Sequence, residues 1–149
     1  MTEELQFIEI FKDERSISYM IKTSNKDVGT IEGYVSDEIL YSVIHINTEF
    51  QKKGIGFYAF QKVFKELSLS NTINKIAGSW HEDEEFSYCN EGKSTNLDIF
   101  LKNIKCNMSK EESALNTPTG KWAFKLGFTS CIIVKQTADS VLIHFTKPK

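Results

Sequence analysis

Gln51-Lys52-Lys53-Gly54-Ile55-Gly56 is the stretch of this sequence whose residue types and spacing could do chemistry. Gly54 and Gly56 let the backbone turn tightly and approach a ligand with no Cβ in between. An amphipathic segment follows at once, so the turn opens a helix whose first N–H groups lack partners within the helix. Those groups, with the positive end of the helix dipole, make an anion site suited to a pyrophosphate. Lys52 and Lys53 add mobile positive charge. The competing explanation is a strand-to-helix turn that binds nothing, the commoner fate of an isolated Gly-x-Gly. Two other phosphate motifs fit worse. A dinucleotide-binding turn needs a third glycine where this sequence has Ala59, and parallel strands around it. A P-loop ends in Gly-Lys-Ser or Gly-Lys-Thr, whereas Gly56 is followed by Phe57-Tyr58.

Other reactive side chains are scattered. Cys89, Cys106 and Cys131 are widely spaced with no Cys-x-x-Cys, which reads as three free thiols in a reducing compartment. His81 has no clustered partners, so no metal is expected. A net charge of -2 and a pI of about 5.9 supply no basic face for duplex nucleic acid. No apolar run approaches the ~18 residues of a membrane span. Met1-Thr2-Glu3-Glu4 is acidic, without the basic start and apolar stretch of a signal peptide. The expectation is a cytoplasmic protein with neither nucleic acid nor membrane as partner.

The elements that must position the turn follow from the pattern on either side of it. The 149 residues suit one domain, 1–149. Strands are expected over Leu5 to Phe11, Ser16 to Ile21, Val28 to Val35 and Ile39 to Ile46, separated by the polar turns Lys12-Asp13-Glu14-Arg15, Ser24-Asn25-Lys26-Asp27 and Ser36-Asp37. Short strands joined by tight turns argue an antiparallel meander. From Gly54 the period changes: Ile55, Ala59, Phe60, Val63, Phe64 and Leu67 form the apolar stripe of an amphipathic helix. A strand over Ile73 to Trp80 comes next, then a polar insert of about 81–115 that opens His81-Glu82-Asp83-Glu84-Glu85. Within it Ser94-Thr95-Asn96 supplies a capping start for a helix carrying Leu97, Phe100, Leu101 and Ile104, and Ser109-x-x-Glu112 has capping-box spacing. Thr117 can cap a last helix, Pro118 suits its first position and Gly127 its end. Phe128 to Val134 and Ser140 to Thr146 close the chain as strands. The order defines an α+β fold.

With that order in place, the turn resembles the acyl-CoA site of the GNAT (Gcn5-related N-acetyltransferase) superfamily. Ile44 through Gly56 looks like the family's apolar strand followed by its Q/R-x-x-G-x-G/A turn, and Asn116 to Phe128 is similar to its N-x-x-A-x-x-L-Y-x-K-x-G-F helix, with Asn116, Lys125, Leu126, Gly127 and Phe128 in register. The likeness covers Ile39 to Phe128. It implies a mixed, mostly antiparallel central sheet flanked by helices, with the insert before the last helix. It implies acetyl-CoA as co-substrate, held by the backbone of Ile44 and Ile46 at the pantetheine arm, by Gln51, Lys52, Lys53, Gly54, Ile55 and Gly56 at the pyrophosphate, and by Asn116 on the arm. The implied reaction is direct attack of a small-molecule or peptidyl amine on the acyl thioester, with a backbone amide stabilising the oxyanion. A homodimer is compatible with this reading.

Three departures from the family pattern bear on catalysis. The family's tyrosine acid falls on Ala123, which leaves the leaving thiolate to water, Tyr88 or another donor. The usual base positions on the central strand are Leu40 and Ser42, neither of them a base; Glu38, further back on the same face by strand alternation, and His81 are the substitutes. His45 falls on the opposite face. The pair of helices that many members place between the first two strands is replaced by a short turn, so the insert is the replacement wall, and its acidic run would suit a cationic acceptor such as a polyamine, an aminoglycoside or lysine. The plainer reading of that run is a solvated loop. A reading of another class is a GNAT-fold module that binds acyl-CoA or a protein partner without turnover, which Ala123 favours.

Overall fold

The computed structural model describes residues 5–24, 26–47, 50, 54–81 and 95–148. They fall in two compact units, Met1–Ile73 and Asn74–Lys149, each built around its own antiparallel strands.

In the first unit β1 (Gln6–Lys12), β2 (Ser16–Thr23), β3 (Lys26–Ser36) and β4 (Ile39–Ile46) form the expected meander, followed by α1 (Ile55–Ser68). The β1–β2 turn is closed by the Asp13 carboxylate, which accepts from the backbone N–H of Arg15 at 2.9 Å and Ser16 at 2.8 Å. The β3–β4 turn has Asp37 at φ 53° and Glu38 at φ 64°, the paired left-handed residues that match the twist of a two-residue hairpin. Alternation then sorts the side chains. Ile17, Tyr19, Ile21, Ile31, Val35 and Leu40 are buried on one face, where α1 lays Ala59, Phe60, Val63 and Leu67. Gly33 is what lets α1 close in, since a Cβ there would stand 2.6 Å from a Val63 methyl. The opposite face shows apolar side chains to solvent, among them Ile10 at 57% exposure and Tyr34 at 49%.

The second unit carries β5 (Lys75–His81), α2 (Thr95–Lys105), α3 (Lys110–Leu115), α4 (Pro118–Lys125), β6 (Ser130–Gln136) and β7 (Ser140–Thr146). β7 lies between β5 and β6, pairing antiparallel with both. Its core joins Ile76 and Trp80 to Leu97, Phe100, Ala123, Phe128, Ile143 and Phe145, and the Trp80 ring meets Phe100 at 6.2 Å and Phe145 at 6.3 Å. The Ser109 hydroxyl accepts from Glu112 N–H at 3.1 Å, as the capping spacing requires. α4 ends in a Schellman turn: Phe128 N–H reaches the Ala123 carbonyl at 2.9 Å and Gly127 N–H the Phe124 carbonyl at 3.1 Å, with Gly127 at φ +99°. That cap uses Phe128, so β6 starts at Ser130 rather than at Phe128 as the apolar run suggests. Of the Ser94-Thr95-Asn96 start, Ser94 lies outside the described residues, and the Asn96 side-chain oxygen accepts from Thr119 N–H at 2.9 Å at the start of α4. Among the described residues the elements are seven strands and four helices, an α+β fold. No described helix is long and apolar enough to cross a membrane.

Candidate acyl-CoA site

The start of α1 is where local structure and chemistry meet. β4 is held to β3 in unbroken register from Ser36↔Ile39 to Gly29↔Ile46. Just past its end Asn47 donates twice into the strand opposite, from its backbone N–H to the Val28 carbonyl and from Nδ2 to the Asp27 carbonyl, both at 2.7 Å. Phe50 N–H returns to the Asn47 carbonyl at 2.8 Å, and the Phe50 ring is buried. Asn47 thus fixes where the chain leaves the sheet for the glycine turn. The sequence reading passed over it, although asparagine after an apolar strand is ordinary turn chemistry.

Gly54 is the N-cap of α1 at φ 79°, ψ 0°, a left-handed conformation that disfavours any residue with a Cβ. A Cβ there would meet nothing within 4 Å among the described residues, so its left-handed backbone is the ground for the glycine. No side chain caps this helix, and its first turn carries no acidic residue. The N–H groups of Ile55 and Gly56 have no hydrogen-bond partner among the described residues. These donors, the open space at Gly54 and the positive helix end together fit an anion. Gln51, Lys52 and Lys53 lie outside the described residues, as does Tyr88.

The remaining candidates are dispersed. Ile44 and Ile46 stand half-buried on β4, opposite Ile31 and Gly29. Leu40 is fully buried beneath α1, so no base could serve from that position without entering the core. Glu38 is exposed in the left-handed β3–β4 turn, and the strand alternation that put it on the face of Leu40 and Ser42 does not extend to it. His45 is half-buried opposite Thr30, and the unbroken register keeps it on the other face. His81 ends β5, exposed and opposite Ser140. Asn116 is exposed at the C-cap of α3, where its Nδ2 donates to the Glu112 carbonyl at 2.8 Å. Ala123 is fully buried inside α4, so no proton donor stands at the tyrosine position.

Electrostatics single out two groups, His144, which has no place among the sequence candidates, and the Cys131 thiol. Burial holds His144 below the usual histidine range, with Lys75 adding to the effect, and its buried Nε2 has no partner among the described residues. Burial, then the Glu111 carboxylate, pushes the Cys131 thiol up to about 11, which makes it a poor nucleophile. Among the described residues no group of three or more His, Cys, Asp or Glu could hold a metal ion.

No family model matches the sequence, and no curated protein is significantly similar to it. Solved structures are. An acetyltransferase of the GNAT family from Streptococcus pneumoniae matches at a TM-score of 0.51 and 10% identity, over 92% of this chain and 70% of that one. The PaiA N-acetyltransferase from Thermoplasma acidophilum, in complex with coenzyme A, matches at a TM-score of 0.51 and 9% identity, over 89% of this chain and 61% of that one. The microcin C7 self-immunity acetyltransferase MccE, in complex with acetyl-CoA and AMP, matches at 0.47 and 17% identity; 89% of this chain is covered, and the chain spans 62% of that protein. The likeness rests on the first two. The fold of this chain is the GNAT acetyltransferase fold.

Proposed function

We propose that the chain is an acyl-CoA-dependent N-acyltransferase that moves an acetyl group to an amine, its two units working as one catalytic domain. One observation carries the reading: the start of α1, where Gly54 holds a left-handed turn and the Ile55 and Gly56 N–H groups have no hydrogen-bond partner among the described residues. Those groups, with Gln51, Lys52 and Lys53, would hold the pyrophosphate, and Ile44, Ile46 and Asn116 the pantetheine arm. Acetyl-CoA supplies an activated thioester. The chain's own task is to orient the acceptor and let its ammonium lose a proton. Glu38 and His81 are the groups proposed for that proton, alongside water. The acceptor is a small-molecule or peptidyl amine.

Ala123 favours a second reading, a GNAT-fold module that binds acyl-CoA without turnover. One experiment on the full chain separates the three outcomes: its melting temperature with acetyl-CoA, and thiol release over a panel of amines. Acyl transfer gives a thermal shift and an amine-dependent release of thiol. A shift without release is the binding module. No shift with millimolar acetyl-CoA or CoA rejects both readings.

A further inference from the structure

The face of the first unit's sheet that α1 leaves uncovered carries a groove with its own chemistry. It has a volume of about 360 Å³ and lies across β1, β2 and β3. Ser16 and Ser18 form its floor, Ile10 and Phe11 stand on one side, and Glu32 and Tyr34 on the other. The strand register explains why it exists. Phe11 is opposite Ser18, Ser18 opposite Glu32, and Ser16 opposite Tyr34, so the smallest side chains of this face sit between larger ones. A register shift in β1 between Glu9 and Phe11 inserts Ile10 as an extra residue, and Ile10 and Phe11 are both left exposed, at 57% and 51%. Tyr34 stacks on Tyr41 with ring centres 5.0 Å apart at 12°, which fixes the orientation of that wall.

Glu32 is the single charged side chain in the lining, and it makes no ion pair or hydrogen bond among the described residues. The nearby lysines are otherwise engaged. Lys22 meets Asp27 at 3.5 Å, and Lys12 reaches Glu66 of α1 at 3.5 Å, on the other face of the sheet. The Ser16 and Ser18 hydroxyls likewise have no hydrogen bond among the described residues. The groove therefore offers one carboxylate with no ion pair among the described residues and two hydroxyls between an aliphatic and aromatic wall and a tyrosine ring. Such a surface selects positive charge on an apolar body: the carboxylate takes a charge-assisted hydrogen bond, and the rings take hydrocarbon and the cation's flank.

We propose that this groove binds a small organic cation, a primary ammonium with an arylalkyl body, its nitrogen on Glu32 and its body between Phe11 and Tyr34. The claim goes beyond acyl transfer and stands without it. Where the acyltransferase reading also holds, such an amine is of the chemical class of its acceptor.

Phenethylamine is the probe, titrated into the full chain and followed by amide NMR shifts, with 2-phenylethanol and phenylacetate as neutral and anionic isosteres. Saturable shifts at Ile10, Ser18, Glu32 and Tyr34 are expected, with affinity for each isostere lower by about tenfold or more, the worth of one charge-assisted hydrogen bond. Glu32→Gln, at an exposed position, should lower phenethylamine affinity to the level of 2-phenylethanol. Ser18→Leu, which fills the floor, should remove binding of all three. Equal binding of the amine and the alcohol, an unchanged affinity in Glu32→Gln, shifts confined to other strands, or none at millimolar probe would each overturn the site. A thermal shift with CoA that persists while the amine fails to bind rejects this groove and leaves the acyl-CoA reading standing.

Discussion

Helices α1 and α4 begin in opposite ways, and the contrast says what each beginning is for. Every helix opens with N–H groups that its own ladder cannot satisfy. At α4 the chain uses them up. Pro118 has none to offer, Thr119 N–H goes to the Asn96 side chain at 2.9 Å, and Gly120 N–H goes to the Thr117 hydroxyl at 3.0 Å. The Thr117 hydroxyl itself donates to the Ala114 carbonyl at 2.7 Å, tying α4 to α3. At α1 a left-handed glycine with no side chain replaces all of this, and no described residue stands where a Cβ would be. A closed helix start is a joint within the fold. An open one, backed by glycines and free of acidic residues, suits the anion proposed for it.

That contrast breaks most visibly at α4. Gly120 lies so close to α3 that a Cβ would run into the Ala114 carbonyl oxygen and the Leu115 backbone. Gly120→Ala should therefore cost about 3 kcal/mol of stability, the upper range of an overpacked core, read by urea unfolding. A loss below about 1 kcal/mol would mean that the two helices separate easily and that α4 is not the closed joint described.

Gly54→Asp tests the open start. Without ligand it should cost only about 1 kcal/mol, because aspartate tolerates the left-handed region and meets no neighbour. With CoA at a hundred times its dissociation constant the natural chain should gain about 2.7 kcal/mol, and the variant should gain none, since a carboxylate there repels phosphates. Equal gains in the two proteins would put the ligand elsewhere.

Asn116→Ala sharpens the comparison at the smallest scale. Losing the Nδ2 bond to the Glu112 carbonyl at an exposed cap should cost under about 1 kcal/mol. If the side chain also holds the pantetheine arm, as proposed, CoA affinity falls in the same titration. An unchanged affinity would reduce Asn116 to the cap of α3.

Much of this fold can be read from short stretches of sequence. β4 and β7 run over the stretches expected as strands, Ile39–Ile46 and Ser140–Thr146. The capping chemistry of Ser109, Thr117 and Gly127 holds as its spacing requires. These features are set by interactions between residues a few positions apart, and a linear pattern records those directly. The glycine turn belongs with them, because its need for positive φ and for exposed amides is local.

What tertiary structure alone decided involves partners distant in the chain. Glu38 reads as a continuation of β4, yet the pairing of Ser36 with Ile39 forces Asp37 and Glu38 into a left-handed turn that ends the alternation. Asn96 reads only as part of the start of its own helix, and packing brings Thr119 to it across 23 positions. The groove around Glu32 has no signature in any one segment. It arises because β1 gains a residue at Ile10, β2 presents serines and β3 presents Glu32 and Tyr34, brought side by side by strand pairing. Sequence determines what each strand can offer on a face. Which offers stand together depends on register, a free energy of the whole sheet that no single stretch of residues contains.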